Sequence, residues 1–280
     1  LEREGEVMRV LLLYESCTGN TELGVEVIAR SLGKEGHHCE TRRFRETPPE
    51  ALRGYDLYGF ASPVQSFAPL APVHSYLENM PPLTGAPAFI FTTGAGWAGA
   101  AHRIIARVLH RKGLKVLGAR LMPCPDSWPL GRMLDRHFYD RVAFPTRRSL
   151  RRTREFAREM VNLAYRHREG LPVPEVPRRL LPTPTLPLAL NALRGGLSMA
   201  LGTRTVQKED CSRCRTCVEV CPSGAVRLDP FPVFSDKCVG CWACFNSCPY
   251  SAIRSSICEP RHFYRGIRDR ERMLKRAGLA

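Results

Sequence analysis

Two cysteine runs set 27 residues apart constrain this chain more than any other feature. The first reads Cys211-Ser-Arg-Cys214-Arg-Thr-Cys217-Val-Glu-Val-Cys221-Pro222, the second Cys238-Val-Gly-Cys241-Trp-Ala-Cys244-Phe-Asn-Ser-Cys248-Pro249. Each is C-x2-C-x2-C-x3-C-P, the run that holds a 4Fe-4S cluster. The spacing suits that chemistry. Three thiolates with two residues between neighbours wrap one face of a cuboidal cluster, because a tight loop points them at neighbouring irons. The fourth cysteine lies about one helical turn further on, and the proline after it turns the chain so that this thiolate points away from the first three. Ala225 and Ala252 keep the same offset, so the repeat extends beyond the ligands.

A disulfide framework is the bland reading of twelve cysteines, but eight of them fall on ligand positions rather than on scattered pairs. Zinc sites use C-x2-C pairs set further apart, without a regular third and fourth cysteine. The stretch resembles a two-cluster bacterial-type ferredoxin. In that family the fourth cysteine of each run ligates the other cluster. The resemblance therefore implies one cluster on Cys211, Cys214, Cys217 and Cys248, and a second on Cys238, Cys241, Cys244 and Cys221. The remaining Cys17, Cys39, Cys124 and Cys258 read as small buried apolar residues. Eight thiolates awaiting iron imply a reducing cytoplasm and an anaerobic or microaerobic host.

The other half of the chain begins with a buried-strand pattern, Val10 to Tyr14, just after Met8, a candidate start preceded by the mostly polar Leu1 to Val7. Glu15-Ser16-Cys17-Thr18-Gly19-Asn20-Thr21-Glu22 follows, then a helical pattern through Leu23, Val27, Ile28 and Leu32. Strand, hydroxyl-rich glycine turn and helix start make a phosphate site, in which backbone N–H groups face the anion. No G-K-[ST] follows, so the loop is not of the Walker type, and it lacks the GxGxxG dinucleotide turn. Ser16, Cys17, Thr18, Gly19, Asn20 and Thr21 resemble the FMN phosphate loop of flavodoxins.

Further strands are expected at His38–Arg43, Leu57–Ala61, Pro87–Thr92 and Lys115–Met122, with helices over Leu70–Met80, Ala100–Arg111 and Ser149–His167. Strands alternating with helices predict an α/β doubly wound parallel sheet. Flavodoxins use the order 2-1-3-4-5 and hold FMN at the switch point. That resemblance implies that the loops after the third and fourth strands bracket the flavin ring. They contribute Ser62, Pro63, Val64, Gln65 and Phe67, then Thr93, Gly94, Ala95, Gly96 and Trp97. Trp97 is the better stacking candidate and Phe67 the second. Pro123 to Pro145, with Trp128 and Tyr139, is long for a flavodoxin connection and suits a lid or a docking surface.

These patterns divide the chain into a flavodoxin-like part (1–168), a linker (169–204), a two-cluster part with a small α+β ferredoxin-like fold (205–258) and a basic tail (259–280). Six prolines between Leu171 and Pro187 make the linker stiff and semi-extended. Leu188 to Leu201 is apolar and reads as a short helix or a contact patch. Arg261 to Leu279 reads as a basic helix anchored by Phe263, Ile267 and Leu274. The formal charge is +15, and it is not spread evenly. Residues 147–179 carry ten Arg against four Glu, and 259–280 carry seven Lys or Arg against three acids, whereas 205–258 carry six against five. The excess lies in the flanks of the cluster module. No run of 18 apolar residues is present to span a membrane, and none of the eight His shows metal-ligand spacing.

The whole resembles a fused flavodoxin–ferredoxin protein. That resemblance implies electron transfer between FMN, two 4Fe-4S clusters and an external redox partner. The partner is expected to be an acidic protein, or an anionic membrane surface met peripherally by a cytoplasmic protein. An FMN-dependent oxidoreductase with its own small substrate is the alternative, and a cavity large enough for a second ring beside the flavin would favour it. Nucleic acid is not expected as a partner, because the basic stretches lack interleaved aromatics or a recognisable binding fold.

Overall fold

The computed structural model describes residues 7–129, 145–176, 202–259, 262–267 and 270–279. Tyr139, Leu188 to Leu201, Arg261 and Arg268 lie outside the described residues, as does Pro177 to Pro187 of the proline-rich stretch.

β1 (Arg9–Tyr14) is buried from its second residue onward, as its apolar run predicts. Alternate side chains feed opposite faces of the sheet. Val10, Leu12 and Tyr14 join one core, Leu11 and Leu13 the other. α1 (Asn20–Lys34), β2 (His38–Arg43) and β3 (Leu57–Gln65) follow, then a two-residue strand β4 (Ala68–Pro69) and α2 (Ala71–Asn79). β5 (Pro87–Gly94), α3 (Ala101–Arg111), β6 (Lys115–Pro123) and α4 (Arg147–Arg168) complete this half. The sheet runs β2-β1-β3-β5-β6, all parallel. This is the doubly wound order 2-1-3-4-5 with one addition, β4, which pairs antiparallel with β3. β2 is only partly buried along its length and forms an edge, as its polarity implies. α1 and α4 cover one face and α2 and α3 the other. Gly59 in β3 lets Phe89 and Leu12 of one core pack over the strand: a Cβ there would lie 2.5 Å from Phe89 and 2.6 Å from Leu12.

The cysteine-rich part forms two antiparallel ribbons, β7 (Arg204–Val206) with β10 (Ile253–Ser255) and β8 (Val226–Asp229) with β9 (Phe231–Phe234). Two short helices, α5 (Thr216–Glu219) and α6 (Ala243–Ser247), carry the ends of the cysteine runs. The repeat seen in the sequence recurs in the backbone. Arg213 and Gly240 (φ 59 and 66), Arg215 and Trp242 (φ 67 and 58), and Gly224 and Ser251 (φ 61 and 56) all occupy the left-handed region. Non-glycine residues held there cost on the order of 1–3 kcal/mol each. The loops retain them because the turns they make set the thiol directions. At the equivalent turns the backbone N–H of Ala225 donates to Cys221 Sγ (3.2 Å) and that of Ala252 to Cys248 Sγ (3.3 Å).

The basic tail is not one helix. Residues 263–267 are irregular, and α7 spans only Arg270–Arg276. Gly266, at φ 70, breaks the helix, and it passes so close to the phosphate-type loop that a Cβ would lie 2.5 Å from Thr18 O. The three expected anchors do pack. Phe263 meets Phe245 edge-on at 4.2 Å, Ile267 lies against the core under α1 and α4, and Leu274 is buried in it. The segment thus crosses from the cluster module back to the first helix of the sheet. Tyr264 OH bonds Asn20 Oδ1 (2.8 Å), and Arg265 donates to Cys248 O (2.5 Å) and Ser251 Oγ (2.7 Å). Arg270 pairs with Glu22 (3.3 Å) and with Glu26.

Candidate functional site

A cavity of about 380 Å³ opens at the C-terminal ends of β1, β3 and β5, the switch point of the sheet. Ser16, Cys17, Thr18, Asn20 and Thr21 line one end. Gly19, in the left-handed region at φ 84, forms the N-cap of α1 and lets the loop turn sharply. Its N–H takes Ser16 Oγ as acceptor (3.1 Å), and the Thr21 and Thr93 hydroxyls bond each other at 2.8 Å, tying two loops together. The first turn of a 15-residue helix therefore faces the cavity with its unpaired N–H groups, a favourable end for an anion. Glu15 is buried beside this loop. Burial raises its pKa despite the opposing Arg45 and Arg43, the latter pairing with it at 3.2 Å.

Pro63, Val64, Gln65 and Phe67 line a second wall, and Thr93, Gly94, Ala95 and Trp97 a third. β3 and β4 form a hairpin whose two-residue turn is Ser66 (φ 47) and Phe67 (φ 63). This turn geometry normally calls for Asn or Gly, so strain is held here to present Phe67. Gly99 makes room for it, since a Cβ there would meet Phe67 Cβ at 2.5 Å. Phe67 and Trp97 tilt against each other with centroids 5.0 Å apart, and Trp97 is 61% exposed. Flat apolar surface at the mouth and hydroxyls with a helix end at the base suit a planar ring carrying a phosphate. Of the residues the sequence points to, Gly19, Ser62 and Gly96 do not line the cavity. Ser62 supports the hairpin instead, with its hydroxyl accepting from Leu70 N (3.1 Å).

The fourth wall comes from the connection whose length and Trp128 suit a lid or a docking surface in the sequence. Cys124, Pro125, Asp126, Ser127 and Trp128 supply it, so the described start of the long connection after β6 closes the cavity. Burial pushes the Cys124 thiol up to about 12 and raises the Asp126 carboxyl, whose side chain accepts from Trp128 N (2.9 Å). The most consequential lining residue is Cys241 of the second cysteine run. It packs against Cys17, and a shared hydrogen bond holds Cys17 well above the ordinary thiol range and lowers Cys241. Gln65 Nε2 donates to Val239 O (2.7 Å), Asn246 Nδ2 to Ser127 O (2.7 Å) and Arg45 Nη1 to Cys221 O (3.5 Å). The cluster loop therefore sits directly on the cavity.

A second, smaller cavity is lined by Cys211, Cys214, Cys217 and Cys248. Burial pushes the Cys217 thiol up to about 11, with Cys248 and Cys214 adding to the shift. The other four cysteines also gather. Cys244 is raised by burial first, then by Cys241, Cys238 and Cys221, with Arg204 opposing. Each group takes three thiols from one run and one from the other. Among the described residues no three His, Cys, Asp or Glu side chains converge on a single-ion centre. Cys211, Cys214, Cys217 and Cys248 instead line a small cavity between them, as a cluster with its own inorganic core requires. Around Cys238–Cys244 there are also donors in want of acceptors. Arg204 Nη2 donates to Cys238 Sγ (2.9 Å), while Arg204 Nε, Arg204 Nη1 and Trp242 Nε1 are buried without a protein partner. Sulfide atoms of a cluster would accept from such N–H groups, so the donor set fits the group.

Comparison with known proteins agrees with this division. Residues 210–253 match the family model of the 4Fe-4S dicluster domain. No curated protein sequence matches the chain. Solved structures similar to its sheet half include flavodoxin 2 from Bacillus cereus, at 19% identity and TM-score 0.44 over 55% of this chain and 98% of that one. A flavodoxin from the domain Archaea aligns at 17% identity and TM-score 0.42, over 57% of this chain and 99% of that one. The rubredoxin oxygen:oxidoreductase of Desulfovibrio gigas aligns at 16% identity and TM-score 0.40, over 57% of this chain but 36% of its own length. The chain's own strand order is that of a doubly wound sheet, and it is followed by a stretch that matches the 4Fe-4S dicluster domain. Among the described residues no helix is long and apolar enough to cross a membrane.

Proposed function

We propose that this chain is an electron-transfer protein in which FMN occupies the cavity at the sheet's switch point and exchanges electrons with two clusters beside it. One observation carries the reading: Cys241 belongs both to the flavin-type cavity and to the second cysteine group. Bound clusters supply one-electron steps, and a bound flavin one- or two-electron steps. The chain's own residues do the rest. Ser16 to Thr21 and the α1 N-terminus would hold the phosphate. Phe67, Trp97 and Trp128 would flank the ring, and the Cys17–Cys241 contact would keep solvent from between the two centres. The grouping of thiols supports Cys211, Cys214, Cys217 and Cys248 as one ligand set and Cys238, Cys241, Cys244 and Cys221 as the other.

The cavity volume of about 380 Å³ lies near the small end of the roughly 300–1,000 Å³ range of small-molecule sites. That favours one resident group, and so a carrier or an electron-input subunit over an oxidoreductase with its own substrate. For the external partner, Arg265 and Arg270 of the tail are engaged within the protein. The exposed Arg147, Arg148, Arg151 and Arg152 at the start of α4 are then the better surface for an acidic redox protein.

Anaerobically purified protein is expected to carry about eight iron, eight sulfide and one FMN per chain. Dithionite-reduced clusters should pass electrons to the flavin faster in the wild type than in Cys17→Ala, which opens a gap between the sites. Zinc in place of iron, FAD in place of FMN, or clusters and flavin that do not exchange electrons would overturn the reading.

A further inference from the structure

The two cysteine groups repeat in backbone but not in surroundings. Arg204, from β7, lies over the Trp242 ring (5.1 Å) and near the Phe234 ring (5.9 Å), with its guanidinium directed at Cys238. One nitrogen donates to Cys238 Sγ at 2.9 Å, and the other two are buried with no protein acceptor. Among the described residues the guanidinium's one hydrogen-bond acceptor is Cys238 Sγ, and no carboxylate pairs with it. The residue one repeat further on is Phe231, so the first group has no counterpart. The cations there, Arg213 and Arg215, line the cavity of Cys211–Cys217 but are exposed. Solvent screens an exposed charge, whereas a buried one acts at close range through low dielectric. Hydrogen bonds to cluster sulfurs and nearby positive charge both stabilise the reduced cluster, which is the more negative form.

Resting on the cluster assignment above, we propose that Arg204 raises the reduction potential of the cluster on Cys238, Cys241, Cys244 and Cys221 above that of the other. An electron on the chain then waits at the cluster next to the flavin cavity, not at the solvent-facing one. Arg204 is a positioning and tuning residue: it moves no proton and takes no electron. It makes the two clusters inequivalent, which gives the chain a preferred site for its first electron.

The test is an anaerobic redox titration of the holoprotein followed by EPR. Wild type should show two cluster potentials. Arg204→Gln should shift the higher one down by at least a factor of ten in the reduction equilibrium, about 59 mV for one electron, and leave the lower in place. Arg204→Lys, which keeps the charge but loses the planar fork, should shift it less. An unchanged higher potential, or equal shifts of both, overturns the proposal. A second measurement needs no charge-removing variant. Protein made with guanidinium-15N arginine and reduced by one electron should show a 15N coupling to the reduced cluster by electron spin-echo spectroscopy, and Arg204→Lys should abolish it. Absence of that coupling in the wild type overturns the proposal even if Arg204→Gln fails to take up iron. Absence of any 4Fe-4S signal defeats the cluster assignment itself, a distinguishable result.

Discussion

The sheet half and the cluster half of this molecule are held together in different ways. The sheet has a core on each face, built of fully buried Leu, Ile, Val and Phe, with Val10, Leu12 and Phe89 on one side and Leu11, Leu13 and Phe60 on the other. The cluster half has one small core of ten buried residues, four of which are cysteines, and Phe263 reaches it from the crossing segment. A segment this short cannot build enough apolar core to stand alone and needs staples. On the proposed ligand sets, bound clusters would be structural as well as electronic, standing in for the core that the first half makes from side chains.

Removing the iron is the largest perturbation of that contrast. Chelation under anaerobic conditions should abolish amide-exchange protection across 202–258 while β1, β3 and β5 stay protected, because metal-binding free energy is folding free energy in such modules. Equal loss of protection in both halves would erase the distinction. Gly59→Ala probes the other side of it. Its Cβ would intrude on Phe89 and Leu12, so denaturant unfolding of the sheet should be easier by about 1–3 kcal/mol, with the same penalty in iron-loaded and iron-free protein. A penalty that vanished on iron removal would mean that the halves share one core.

A smaller effect sharpens the same comparison by pH. His102 lies behind the cavity with its Nε2 2.7 Å from Thr92 Oγ1, and burial lowers its pKa to about 4, against a weaker upward pull from the Arg120 backbone. A depressed group favours the folded state above its unfolded pKa and withdraws that support as pH falls. Sheet stability should therefore decline between about pH 6.5 and 4, and His102→Gln should flatten that part of the profile. Thermal unfolding of the flavin-loaded protein across this range checks it, and an unchanged slope in the variant would show that His102 is not the group responsible.

Much of this was legible in the sequence because the signals are local. A buried apolar run predicts β1, β3 and β5, and a hydroxyl-rich turn before a helical pattern predicts the phosphate-type loop. The 27-residue offset predicts a backbone repeat that reaches the left-handed turns at Arg213/Gly240 and Arg215/Trp242. What was not legible joins segments far apart in the chain. No pattern near Cys17 shows that Cys241 will lie against it, and no pattern near Arg204 shows that it faces Cys238. Both are set by how one module docks on the other. The crossing segment was misjudged for a related reason. Its charge suggested a surface helix, but Tyr264, Gly266 and Arg270 answer to Asn20, Thr18 and Glu22. Trp128 was noticed as unusual, yet only the folded connection shows it as a cavity wall.

That crossing segment also orders events during synthesis. Tyr264 bonds a residue 244 positions earlier in the chain, and Arg270 pairs with Glu26 across the same span. Domains emerge and fold from the N-terminal side at about 5–20 residues per second. The sheet can therefore be complete, with its phosphate-type loop uncovered, for many seconds before Tyr264 and Gly266 exist to lie over it. A nascent chain has an interval in which the cavity's base is open to an entering cofactor, and that interval closes only when the cluster module is in place. Chain order in this way sets the order in which the sites become available: the sheet cavity first, the cysteine groups second, and the segment that crosses between them last.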